Sequence, residues 1–316
     1  MLLKKIPFPM AGLMLGMAGL GNLVVSYGAG YRYALGAVAT LIMVLIAAKA
    51  FTDPAALKEA LEQPPVASVL PTFSMGMAIL SVYLKPFLPQ GALVMWFLAL
   101  LIHVVLLVIF TKKHVVSFKM KKVFPSWFIV YVGLACFSLT APAMGQLVIG
   151  QALFWIAFAA YLVLLPVVLY RVIKVGQIPD PALPSLAIMT APSSLALAGY
   201  LNSFPEKNLA IVAFLTACTL ISFIGVMLVM SRLLKLPFFP SYSAFTFPFV
   251  ITGIALKGTN GYLSQAGVGI PTLGATIPMF EFWAVIMVLY VLWQYLHFLR
   301  KALMPASARP QTEKAI

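Results

Sequence analysis

"FFPSYSAFTFPFVITGIAL", residues 238–256, is the stretch whose reading decides the fold. It is apolar enough to lie in lipid, yet Pro240 opens it and Pro248 interrupts it between Phe247 and Phe249. A proline inside a helix removes a backbone hydrogen bond and clashes with the carbonyl four residues back, at about 3 kcal/mol. A membrane helix that keeps such a residue needs a compensating reason.

The chain around it has 316 residues, 63% of them hydrophobic and 9% charged, with a mean hydropathy of +1.04. Soluble domains carry about 25% charged residues. This is the composition of an all-α polytopic membrane protein, and it excludes a soluble nucleic-acid binder despite the net charge of +14. Ten apolar segments reach the roughly 17–25 residues that a hydrocarbon core demands. They lie near 7–28, 33–51, 67–87, 90–111, 125–142, 147–170, 183–202, 208–231, 240–257 and 278–299. One transmembrane domain then covers 1–316, with 301–316 as a cytoplasmic tail.

The first segment follows Lys4 and Lys5 but lacks an Ala-x-Ala cleavage site, so it reads as a retained crossing. With ten crossings, all but four of the 21 Lys and Arg residues fall on the side that holds both termini. The exceptions are Arg32, Lys85, Lys207 and Lys257. The positive-inside rule puts that side in the cytoplasm, giving a multi-pass protein of the inner (plasma) membrane. Cys136 and Cys218 fall inside apolar segments and read as small buried hydrophobes rather than as a disulfide or metal pair. Nothing in the spacing asks for a metal or cofactor. The absence of a His-Glu-x-x-His, a nucleophile elbow or paired intramembrane aspartates argues against an enzyme.

The prolines repeat. "VLPTFSMGMAIL" starts the third segment, "VFPSWFIVYVGLA" the fifth, "ALPSLAIMTAPSSLA" the seventh and "FFPSYSAFTFPFV" the ninth. Each places Pro before Ser or Thr: Pro71-Thr72, Pro125-Ser126, Pro184-Ser185 and Pro240-Ser241, at spacings of 54, 59 and 56. "IPFPMAGLMLG" is a looser copy in the first. A period of this size marks a repeated unit, here a two-helix hairpin used five times. Eight residues beyond the starting Pro, a second breaker follows: Gly133, Pro192 and Pro248, with Gly16 matching roughly in the first segment.

The even segments are plain Leu, Val, Ile, Ala and Phe. Broken backbone at membrane depth persists only where protein or a water-filled cavity receives it. The expected architecture is therefore an inner ring of five kinked odd helices, quasi-fivefold about a central pore, inside an outer ring of five even ones.

"MTAPSSLALAGYL", "FTFPFVITGIAL" and "PFPMAGLMLGMAGLGN" resemble the tellurite-resistance/dicarboxylate transporter family, from about residue 7 to 300. That family holds bacterial TehA-like proteins, fungal malate and sulfite transporters and the plant guard-cell slow anion channel. The resemblance implies ten helices as five hairpins, a homotrimer with one pore per protomer, and small anions as cargo. It also implies a phenylalanine of the ninth helix that occludes the pore at mid-membrane. By the match to "FTFPFV" that gate is Phe247, with Phe245 and Phe249 as the neighbouring candidates.

No Lys, Arg, Asp, Glu or His falls in the middle of an odd segment. The expected pore lining is Ser74, Ser138, Thr190, Ser193, Ser194 and Thr246, which favours small monovalent anions over strongly hydrated divalent ones. Back-bonding to the helix is the alternative for each hydroxyl. Tellurite would pass such a pathway incidentally. A proton-coupled C4-dicarboxylate (malate) or sulfite transporter is the alternative function, but coupling uses intramembrane acids or histidines. His103, Glu281 and His297 are the few candidates. Partners beyond the anions are membrane lipid and further copies of the chain.

Overall fold

The computed structural model describes residues 2–303; the expected tail lies outside them from residue 304 on. The described chain is 84% helical and contains no strand. We label α1 Met10–Leu23, α2 Ala29–Thr52, α3 Pro64–Leu84, α4 Pro89–Val115 and α5 Trp127–Thr140. The remainder are α6 Leu147–Val175, α7 Asp180–Ser203, α8 Leu209–Leu233, α9 Phe247–Gln265 and α10 Pro271–Leu303. A short helix at Leu2–Lys5 precedes α1, and another at Pro54–Glu62 lies between α2 and α3.

Seven of these helices are long and apolar enough to cross a bilayer, namely α2, α3, α4, α6, α7, α8 and α10. The other three are the expected first, fifth and ninth segments. α1 has only 14 residues, α5 is divided by a turn of 3-10 helix, and the second half of α9 carries Lys257, Thr259 and Asn260.

Burial separates odd from even helices. The apolar windows of α3 and α7 are 78% buried, whereas those of α2, α4, α6, α8 and α10 are 22–39% buried. No large exposed hydrophobic side chain lies on α1, α3, α5, α7 or α9; Leu101, Val163, Ile221 and Leu228 are typical of those that line the even helices. An apolar surface of this kind suits acyl chains.

The odd helices pack in a closed circuit: α1 on α3, α3 on α5, α5 on α7, α7 on α9, and α9 back on α1. Each even helix packs on the odd helix before it.

The closing contact depends on small residues. A side chain at Gly12 would meet Ser243 Cβ at 2.9 Å, at Gly16 Thr246 Cβ at 2.5 Å, and at Gly19 Val250 Cγ1 at 3.0 Å. Spacings of four and three put these glycines on one face of α1, and that face lies directly against the segment leading through Thr246 into α9. Thr246 Oγ1 donates to Gly12 O at 2.9 Å across this contact. On the far end, Glu281 of α10 is buried, receives Lys257 Nζ at 2.7 Å and accepts from Tyr27 Oη at 2.6 Å. Lys257 also donates to Leu23 O at 3.3 Å, so the end of α1 is held to α9 and α10.

Candidate functional site

Within this ring lies a cavity of about 450 Å³. Every residue of its wall belongs to α1, α3, α5, α7 or α9 or to the segment leading into one of them. Each helix contributes its N-terminal part and not its C-terminal end: α1 as far as Leu15, α3 Met75, α5 Gly133, α7 Leu195 and α9 Pro248. Exposed Gln63, Pro179 and Pro181 mark the mouth, while Gly133 and Phe247, both buried, mark the floor. The wall is mostly apolar, with prolines from four of the five segments of the circuit, and it carries no ionisable side chain among the described residues.

The backbone changes character at the floor. In the ninth segment a 3-10 stretch, Pro240–Phe245, ends at Thr246 (φ −102°, ψ −88°), and the α-helix starts at Phe247 with Pro248 in its first turn. In the seventh, 3-10 helix runs Asp180–Thr190 and α-helix starts at Ala191 with Pro192 in its first turn. A proline there surrenders no hydrogen bond, because first-turn N–H groups have no intrahelical partner. The energetic objection to Pro248 is thus removed locally: it begins a helix instead of interrupting one.

In α5 the break is a 3-10 turn, Val132–Leu134. His103 of α4 stands behind it, fully buried, with Nε2 3.1 Å from Val130 O and Nδ1 2.9 Å from Ser74 Oγ. A carbonyl only accepts, so Nε2 donates. A side chain at Gly133 would come within 2.8 Å of that imidazole, so glycine lets the ring reach the broken turn. Gly16 differs from the other expected breakers. It lies inside the uninterrupted helix Met10–Leu23, where its part is the close approach to Thr246.

Of the three phenylalanines around Pro248, Phe247 lines the cavity. Its ring lies beside Gly19, where a Cβ would meet Cδ2 and Cε2 at 3.3 Å. Phe249 turns away to Phe223 and Trp283, with ring centroids at 6.2 and 5.8 Å, and Phe245 packs on Tyr242 at 4.9 Å.

None of the hydroxyls expected as lining, Ser74, Ser138, Thr190, Ser193, Ser194 and Thr246, belongs to the cavity wall, and all are buried. Thr190 Oγ1 donates to Ala187 O at 3.2 Å and Ser194 Oγ to Thr190 O at 2.6 Å. Ser138 Oγ donates to Ser203 Oγ at 3.1 Å, while Ser74 Oγ reaches Pro71 O at 2.8 Å. Ser193 is buried beside Tyr161. Back-bonding and contacts between helices hold all of these except Ser193, whose Oγ is buried without a hydrogen-bond partner. The hydroxyls on the wall are Thr72, Ser126, Ser185, Ser241 and Ser243. Four of these follow the repeated proline. Their recurrence in register was the available signal.

Two buried cations stand behind the mouth. Arg171 donates to Gly176 O and, at 3.5 Å, to Lys121 O, with its guanidinium 5.9 Å from the ring centroid of Phe124, a wall residue. Lys49 donates to Ile6 O at 2.5 Å and lies 4.9 Å from the Phe8 ring centroid. The ion pairs among the described residues are Lys113–Glu62 and Lys257–Glu281, so neither buried cation is neutralised by a carboxylate contact.

A helical, lipid-compatible exterior around a cavity walled by the least regular helices defines a multi-pass membrane protein of the channel or transporter class. Its sequence matches the voltage-dependent anion channel (SLAC1) family over residues 5–307, and the chain belongs to that family. Members are channels or transporters, not enzymes. A search of curated proteins found no match.

Proposed function

We propose that the chain is an anion channel or passive anion transporter whose conduit runs along the axis of the odd helices and is occluded by Phe247. In this reading all ten helices cross the membrane as five hairpins, and both termini and the cavity mouth face the cytoplasm. The observation that carries it is the cavity wall, which is drawn wholly from alternate helices and ends at Phe247.

Anions are favoured over cations by what surrounds the wall. No carboxylate lines it, Arg171 and Lys49 stand behind the mouth, and the α-helices of α7 and α9 begin at the floor with their positive ends toward it. A lumen of hydroxyls and apolar groups replaces little hydration, so small singly charged anions pass more readily than divalent ones. The absence of an ionisable group from the wall supports passive flux over proton coupling; His103, the buried candidate, is engaged behind Gly133 by Ser74 and Val130. Assembly as a homotrimer rests on the family resemblance.

The test is reconstitution in liposomes with chloride, nitrate and malate gradients. Reversal potentials set by nitrate and chloride, unchanged when the proton gradient is collapsed, are expected. Malate uptake that requires a proton gradient would replace this reading with the coupled one.

A further inference from the structure

We propose that Ser185 is the anion-contacting hydroxyl of the cavity, a binding residue for a singly charged, weakly hydrated anion on its way to Phe247; the proposal rests on the anion-conduction reading above. The repeated Pro-Ser/Thr step sets Thr72, Ser126, Ser185 and Ser241 in the cavity wall, each one residue after its proline. Three of them are committed inside the protein. Thr72 Oγ1 donates to Val69 O at 2.7 Å, Ser241 Oγ donates to Pro181 O at 2.6 Å, and Ser126 Oγ shares a 2.6 Å bond with Ser68 Oγ.

Ser185 breaks the pattern. Its residue is 6% exposed and its Oγ is buried without any protein partner. A buried hydroxyl left in that condition costs about 1–3 kcal/mol, a cost that ordinary folding avoids by rotating the hydroxyl to the nearest carbonyl. Thr72 and Ser241 have done so, and Ser126 is paired with the Ser68 hydroxyl. Ser185 lies on a 3-10 stretch, Asp180–Thr190, where i and i+3 side chains eclipse, so Ser185, Ile188 and Ala191 share the lumen face. Rotation about χ1 turns the O–H from the wall toward an occupant of the cavity.

The chemistry selects the occupant. A hydroxyl donor against an apolar wall, with Arg171 and Lys49 near the mouth, stabilises negative charge but repays little dehydration. Thiocyanate, iodide and nitrate therefore bind here better than chloride, and divalent anions least.

The test uses full-length protein in liposomes, with nitrate flux measured against concentration for wild type, Ser185→Ala, Ser185→Thr, Thr40→Ala and Thr276→Ala. Ser185→Ala is expected to raise the half-saturating nitrate concentration about tenfold, the scale of one hydrogen bond to an ion, with maximal flux retained. Ser185→Thr keeps the donor and stays near wild type, and Thr40→Ala and Thr276→Ala, which remove exposed hydroxyls outside the cavity wall, keep the wild-type half-saturation. Ser185→Cys supplies a second measurement: modification by a charged methanethiosulfonate from the mouth side, slowed by thiocyanate. Unchanged saturation in Ser185→Ala, or modification indifferent to thiocyanate, overturns the site while leaving the conduction reading standing. A wild-type protein that carries no anion at all removes both.

Discussion

Phe247 occupies the cavity floor because its two aromatic neighbours are held elsewhere. Phe249 is held by Phe223 and Trp283, and Phe245 by Tyr242, so neither can turn inward without vacating a packed position. Phe247→Ala is expected to raise nitrate flux on the order of tenfold or more, since each tenfold corresponds to a barrier lower by about 1.4 kcal/mol. Phe245→Ala and Phe249→Ala instead lower the melting temperature in detergent, by the equivalent of about 3–5 kcal/mol for a buried aromatic, with flux little changed. An unaltered flux in Phe247→Ala at normal expression would detach this residue from gating. The family resemblance named Phe247, with Phe245 and Phe249 as neighbouring candidates; the packing that turns Phe249 away rests on Phe223 and Trp283, some 25 to 35 residues distant, which no local pattern reveals.

At the scale of the helix, the seventh and ninth segments share one device. Pro192 and Pro248 each sit in the first turn of a new α-helix behind a 3-10 run. Pro248→Ala is therefore expected to fold, with a stability change of about 1 kcal/mol or less instead of the 3 kcal/mol of an interior proline. Its measurable effect falls on conductance, because the 3-10 segment gains the option of continuing as α-helix. A stability gain of several kcal/mol in Pro248→Ala would show that the proline strains the helix after all.

The glycine face of α1 has the opposite sensitivity. Gly16→Ala drives a methyl to 2.5 Å from Thr246 Cβ and 3.1 Å from the Phe247 nitrogen, and the backbone nitrogen cannot step aside. The expected loss is about 1–3 kcal/mol, read as a lower melting temperature. Gly30→Ala, where nothing lies within 4 Å, is the control and stays near wild type.

For the molecule as a whole, closure is the decisive event: the ninth helix must return to the first. Thr246 with Gly12 fastens one level of that seam, and Glu281 with Lys257 and Tyr27 fastens the other. Glu281 is 95% buried at the residue level, but Lys257 is more than a third exposed, so solvent screens part of the pair. Glu281→Gln is expected to cost about 2 kcal/mol, between surface and buried limits, and to show as earlier thermal unfolding in detergent. Orientation has its own check: a cysteine placed at Lys121 should react with impermeant reagent from the cytoplasmic side alone.

Composition and periodicity by themselves determined the membrane setting, the alternation of plain and broken helices, and the proline–hydroxyl repeat, because hydrophobic content and backbone breakers are properties of consecutive residues. Only the tertiary structure decided which hydroxyls face the cavity and which bond back into the protein, that Pro248 starts a helix, and that Gly16 serves contact with Thr246. Those outcomes depend on what lies across a helix interface, and a hydroxyl in a low-dielectric interior takes the nearest acceptor wherever the chain brings one.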